Sequence, residues 1–125
     1  MAYTLRYERR PPTLNVERQQ HRMIRARWVR EWRAIFNALA LEAEIPPLPA
    51  ISVTVQPELR HRGSMPDTGA CIGAAKAAID GLVDAGVIPD DSPRFVHRLT
   101  FEAPVVTGVD ALELVIEPVC VKEVA

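Results

Sequence analysis

Five carboxylates and one lysine in the second half of this sequence have the types and spacing for phosphate chemistry: Asp67, Asp80, Asp84, the pair Asp90-Asp91, and Lys76. Hard carboxylate oxygens suit Mg²⁺, which is usually held by one or two carboxylates and keeps several waters for substrate phosphate. Asp67 and Asp91, with Asp90 as the neighbouring acid, can supply such a set if a helix start and a strand entry lie side by side. An ion of this kind activates a water and stabilises a leaving oxygen. Lys76 stands in the run Ala74-Ala75-Lys76-Ala77-Ala78, and a lone cation on a small-residue helix can offset charge that develops on a scissile phosphate. Each group also has a plainer use. Asp67 can cap a helix, Asp90-Asp91 flanked by prolines suits a turn, and Lys76 can pair with Asp80 one helical turn on.

Other reactive groups give less. His21 falls at the same helical angle as Trp28 and Leu39, which predicts a packed ring, and His61 and His97 have no partner in sequence. Cys71 and Cys120 form no CxxC or Cys/His cluster, so neither a disulfide scaffold nor a zinc site is expected, and Cys71 reads as a buried small side chain. The glycines form no GxGxxG or phosphate-binding loop, and no nucleotide cofactor is expected.

Charge is divided along the chain. Residues 1–40 hold nine Arg against three acids, whereas residues 41–125 hold six basic groups against thirteen acidic ones, and the two halves cancel to a net charge of -1. The basic half predicts a surface for an anion. Arg outnumbers Lys thirteen to two, and guanidinium forks suit phosphate, although a high-GC genome produces the same bias. At 100° per residue, Arg18, Arg22, Arg25 and Arg33 form a strip beside an apolar face, either to meet phosphate or simply to be solvated.

These groups must be positioned by one domain spanning residues 1–125, in which 48% of residues are apolar and 25% charged. No stretch approaches the length of a membrane span and the first residues lack the apolar core of a secretory signal. A cytoplasmic protein without membrane partners is therefore expected. Alternation predicts a strand over Tyr3–Tyr7, stopped by Pro11-Pro12. Asn15 is expected to cap a helix with Ile24, Trp28, Trp32, Ile35 and Leu39 on its inner face, running to about Glu44. A strand with Ile51, Val53 and Val55 inward should end at Pro57, followed by an exposed basic connection from Arg60 to Pro66. A second helix starts from Asp67 or Thr68 and closes at Gly86. Phe95–Glu102 and Ala111–Glu117 read as two strands joined around Thr107-Gly108. The order β-α-β-α-β-β implies an α/β (α+β) fold, a small mixed β-sheet with two packed helices.

The segment Asp67 … Lys76-Ala77-Ala78-Ile79-Asp80-Gly81-Leu82 … Ala85-Gly86-Val87 … Asp90-Asp91 resembles the RusA-like endodeoxyribonucleases, the Holliday junction resolvases common in phages and prophages. Pro11-Pro12-Thr13-Leu14-Asn15, His21 and an Arg-rich helix with Trp32-Arg33 look like the opening of phage members. The resemblance implies a dimeric α/β protein that binds four-way DNA junctions and, with Mg²⁺, nicks opposing strands symmetrically. It assigns Asp67, Asp90 and Asp91 to the metal and Lys76 to catalysis. Gly69 and Ala70 stand where the family's Asp-x-Asp-Asn stretch has a second Asp and an Asn, so either the metal site is attenuated or another acid such as Asp80 substitutes. Arg18, Arg22, Arg25, Arg60 and Arg62 are expected on DNA phosphates, whose contacts read branched shape more than sequence.

Overall fold

Alternation over residues 51–59 places Ile51, Val53 and Val55 at 0% exposure while Ser52, Thr54 and Gln56 stay half-buried on the opposite face. This strand is the centre of the sheet. The structure, a computed structural model, describes residues 1–63 and 65–120. Along the chain run β1 (Tyr3–Tyr7), α1 (Leu14–Gln19), α2 (Arg22–Glu42), β2 (Ile51–Leu59), α3 (Ile72–Asp84), β3 (Val96–Phe101), β4 (Val105–Val106) and β5 (Ala111–Pro118). The five-stranded sheet has the order β1-β5-β2-β3, with β4 pairing β2 beyond the end of β3. β5 is antiparallel to both β1 and β2, whereas β3 and β4 run parallel to β2. The fold is the expected mixed sheet with two packed helices, α2 and α3, and adds the short α1 and the two-residue β4.

Several local expectations are corrected. The strands around Thr107-Gly108 are not partners: β3 and β5 lie on opposite sides of β2, because α3 returns the chain for a parallel crossover before β5 inserts between β1 and β2. β2 does not stop at Pro57. Its odd-numbered residues direct backbone groups towards β3 and β4, as Val55 O accepts from Glu102 N at 2.9 Å and Leu59 O from Thr107 N at 3.0 Å. Pro57, which has no N–H, falls in the gap between β3 and β4, where no ladder donor is required. Gln56 Nε2 closes that gap by donating to Pro57 O and Ala103 O, both at 2.9 Å.

The long N-terminal helix is two helices. Gln20 and His21 are both extended, and Asn15 lies inside α1, whose N-cap is Thr13. Gln20 Oε1 accepts from Trp28 Nε1 at 2.7 Å, and His21 is the N-cap of α2, its Nδ1 accepting from Met23 N at 3.2 Å. His21 is thus exposed at a helix start rather than packed. On α2 the buried residues are Trp28, Trp32, Phe36 and Ala40, while Ile24 is 49% exposed and Ile35 and Leu39 are half-buried. Trp32 stacks on Phe36 and meets the edge of Tyr7 from β1, which locks α2 onto the sheet.

α3 begins after Cys71, later than the Asp67 or Thr68 expected, because residues 67–70 form a tight turn in which Ala70 N donates to Asp67 O. Its Ala74, Ala75, Ala77, Ala78, Ile79, Gly81 and Leu82 are all buried. Gly81 allows the closest approach to α2: a Cβ there would stand 2.5 Å from Arg33 O and 2.8 Å from Asn37 N. Both long helices close with the same device. Val87 N donates to Leu82 O and Gly86 N to Val83 O, with Gly86 at φ +81°, as expected of a C-terminal glycine. At the end of α2, Ile45 N donates to Ala40 O and Glu44 N to Leu41 O, but here the left-handed position is held by Glu44 at φ 55°. Leu48 N then donates to Val87 O, tying the two helix ends together.

Candidate functional site

The parallel crossover decides where the acids go. α3 starts near the end of β2 and returns to its beginning, where Ile51 pairs with Val96. Asp67 precedes α3 and Asp90-Asp91 follow it, so within one chain they lie at opposite ends of a helix about 20 Å long. The side-by-side arrangement expected for Asp67 and Asp91 is therefore not formed. Among the described residues, no three His, Cys, Asp or Glu side chains gather as a potential metal-binding group.

The charge of Asp91 acts instead on Asp80. Partial burial holds the Asp80 carboxyl above its ordinary value, and the charge of Asp91 pushes it further, with a smaller push from Asp84. Arg33 and, more weakly, Lys76 oppose the rise. Arg33 is committed mainly to Asp84, donating through Nε at 2.6 Å and an Nη at 2.8 Å, which holds the Asp84 carboxyl below its ordinary value. Asp80 forms no ion pair among the described residues, and the exposed Lys76 stands one turn earlier on α3. Asp90 serves the turn: its Oδ1 accepts from Ser92 N at 2.8 Å, and that bonding lowers its pKa. Asp80, half-buried, and Asp91, exposed, offer the hard carboxylate oxygens that Mg²⁺ takes from a protein, so their donor chemistry fits that ion.

Asp67 is exposed and lines a groove of about 550 Å³ with Arg10, Asn15 and Arg18. The groove is closed by Leu14 N donating to Ala70 O at 2.8 Å. Gly69, in the same turn, has φ +83°, so an aspartate at that position would be strained. Its glycine is required by the turn.

The arginines divide into two classes. Arg6 pairs with Glu58 and Glu8, Arg9 with Glu31, Arg25 with Glu17, and Arg33 with Asp84. These cations hold elements together: the Arg6 bridge joins β1 to β2 across β5, and Arg33 joins α2 to α3. Arg10, Arg18, Arg22, Arg27, Arg30, Arg60, Arg62, Arg94 and Arg98 are exposed and form no ion pair among the described residues. Of the phosphate-binding candidates, Arg18, Arg22, Arg60 and Arg62 remain available. Arg25 does not, since its Nε donates to Glu17 Oε1 at 2.6 Å. The expected strip is also broken geometrically, because Arg18 lies on α1 and Arg33 is engaged by α3.

Glu17 was not foreseen. Cys71 offers α3 no side-chain cap, and the Glu17 carboxylate fills that end, with Oε2 2.7 Å from where a Gly73 Cβ would stand. A carboxylate over the first turn complements the helix dipole. Arg10 and Arg27 were also overlooked as a pair, since only the fold brings residue 10 beside α2. Cys71 is buried as expected, and burial pushes its thiol up to about 11. No family model matches this sequence, and no curated protein matches it.

Proposed function

We propose that this protein binds four-way DNA junctions and, with Mg²⁺, nicks them as a structure-specific endodeoxyribonuclease, two copies acting on opposing strands. The observation that carries the reading is the half-buried Asp80, on which the charge of Asp91 acts, with Lys76 one helical turn before it on α3. Asp80 takes the place that Asp67 was expected to fill. Bound between these carboxylates, Mg²⁺ would supply an activated water and stabilise the leaving oxygen. Lys76 offsets negative charge on the reacting phosphate. The unpaired arginines on α1, on the start of α2 and after β2 hold the DNA backbone, and a dimer doubles that surface on a two-fold substrate.

A second reading, branched-DNA binding without cleavage, is favoured by one observation: Asp67 lies at the other end of α3 and the Asp90 carboxylate is taken up by Ser92 N. A gel assay with labelled four-way junction and linear duplex, in EDTA and in Mg²⁺, separates the two. Paired nicks only with junction and Mg²⁺, lost in Asp80→Asn and Asp91→Asn while the shift persists, support the nuclease. A junction-selective shift with no product moves the protein to binding alone, and no shift overturns both.

A further inference from the structure

A second groove, of about 440 Å³, lies between the Arg9–Thr13 segment, α1 and the first turns of α2, adjoining the Asp67 groove, with which it shares Arg10, Thr13 and Val16. Pro12, Val16, Ile24 and Trp28 give it apolar walls, and Arg10 and Arg27 stand over it. Val16 and Ile24 are 46% and 49% exposed, a poor use of aliphatic side chains unless something covers them. The one carboxylate in the lining, Glu31, is already neutralised: its Oε2 accepts from Tyr7 Oη at 2.9 Å and forms an ion pair with Arg9 at 3.1 Å. The groove therefore presents a net positive rim over an apolar floor. Trp28 Nε1 donates to Gln20, so the floor has no free indole donor with which to choose among flat ligands. An anion with a flat apolar body fits these terms, and the volume lies within the roughly 300–1,000 Å³ of ordinary ligand sites.

We propose that this groove holds an unpaired nucleotide of a DNA strand, its base against Ile24, Val16 and the Trp28 edge and its phosphate between Arg10 and Arg27. The proposal rests on the DNA-binding reading and adds to it a place for a base freed from the stack at a branch. Contact through π-faces and apolar walls tolerates any base.

The test uses the full chain, with tryptophan fluorescence as readout because Trp28 and Trp32 both border the groove. A short oligothymidylate is titrated against a strand of the same length made of abasic deoxyribose phosphate. The expected result is a fluorescence change with oligothymidylate and roughly tenfold weaker binding of the abasic strand. Ile24→Glu and Arg27→Glu, both at exposed positions, should each weaken oligothymidylate by a similar factor while leaving the far-ultraviolet dichroism unchanged. Equal binding of the two strands, or variants that bind as the parent does, would overturn the groove while a persisting four-way junction shift left the DNA reading intact. Failure of the parent to bind either strand or the junction would overturn both.

Discussion

Replacing Gly81 by alanine sets two opposed effects against each other. In an open helix the change stabilises by about 1 kcal/mol, since alanine loses less backbone freedom. Here the new Cβ would sit 2.5 Å from Arg33 O and 2.8 Å from Asn37 N, with Phe36 Cβ at 3.1 Å. The first two are backbone atoms of α2, and no rotamer change removes them. The helices must separate by roughly an ångström, a gap that forfeits a quarter to a half of the dispersion energy between facing atoms. Overpacking of this kind costs about 3 kcal/mol at the upper end of its usual range. The net expectation is a loss of about 2 kcal/mol, or a fall in urea midpoint on the order of 1 M. Gly73→Ala is the matched control on the same helix. Its obstruction is the Glu17 carboxylate at 2.7 Å, a side-chain end that moves only by giving up its place over the first turn of α3 and its bond from Arg25, a loss that offsets the gain from alanine and keeps stability within about 1 kcal/mol of the parent. Equilibrium urea unfolding of the three proteins, followed by far-ultraviolet dichroism, measures both. If Gly81→Ala unfolds at or above the parent midpoint with the same m-value, the close helix contact is not what holds α2 and α3 in place.

Glu44→Gly should stabilise by about 1 kcal/mol, because Glu44 occupies a left-handed helix-closing position at φ 55° that suits glycine; thermal unfolding will show a raised midpoint. Phe36→Ala, at 0% exposure and stacked on Trp32, should cost on the order of 3–5 kcal/mol in the same assay. Asp84 and Asp80 should respond to acid with opposite signs. The folded Asp84 carboxyl lies below its ordinary value because Arg33 bonds it, so its stabilisation is present above the ordinary carboxylate range and lost as pH falls through the depressed value. Asp84→Asn should flatten that acid limb. Asp80 lies above its ordinary value through burial and then Asp91, so Asp80→Asn should stabilise at neutral pH by an amount that vanishes as acid protonates the parent. In carboxyl NMR titrations, Asp91→Asn should lower the Asp80 midpoint, and an unchanged midpoint would remove the proximity on which the acid pair rests.

Elements whose signal is local were legible in the sequence. Tyr3–Tyr7 alternates and forms β1 over the same residues, and Gly86 closes α3 as its position predicts. What escaped depends on contacts distant in sequence. The break between α1 and α2 carries no glycine or proline; it is held by Trp28 eight residues on and by an unusual histidine cap. Pro57 reads as a strand end until the gap between β3 and β4 is known. The acids were identified by type but grouped wrongly, because adjacency of a helix start and a strand entry is decided by the direction of the crossover. Among the arginines, composition gave the charge of the N-terminal half, but only the positions of Glu17 and Asp84 separate Arg25 and Arg33 from those left free.

The place of β5 has a consequence for how the chain is made. β1 emerges first from the ribosome, yet its strand partner is β5, which also supplies the antiparallel neighbour of β2. Until residues 111–118 are synthesised, both early strands have open edges and the Arg9–Thr13 segment has no finished sheet beneath it. Nascent chains interrupted before that point would therefore be sticky and protease-sensitive, so the finished sheet arrives in a single late step of translation rather than accumulating with length.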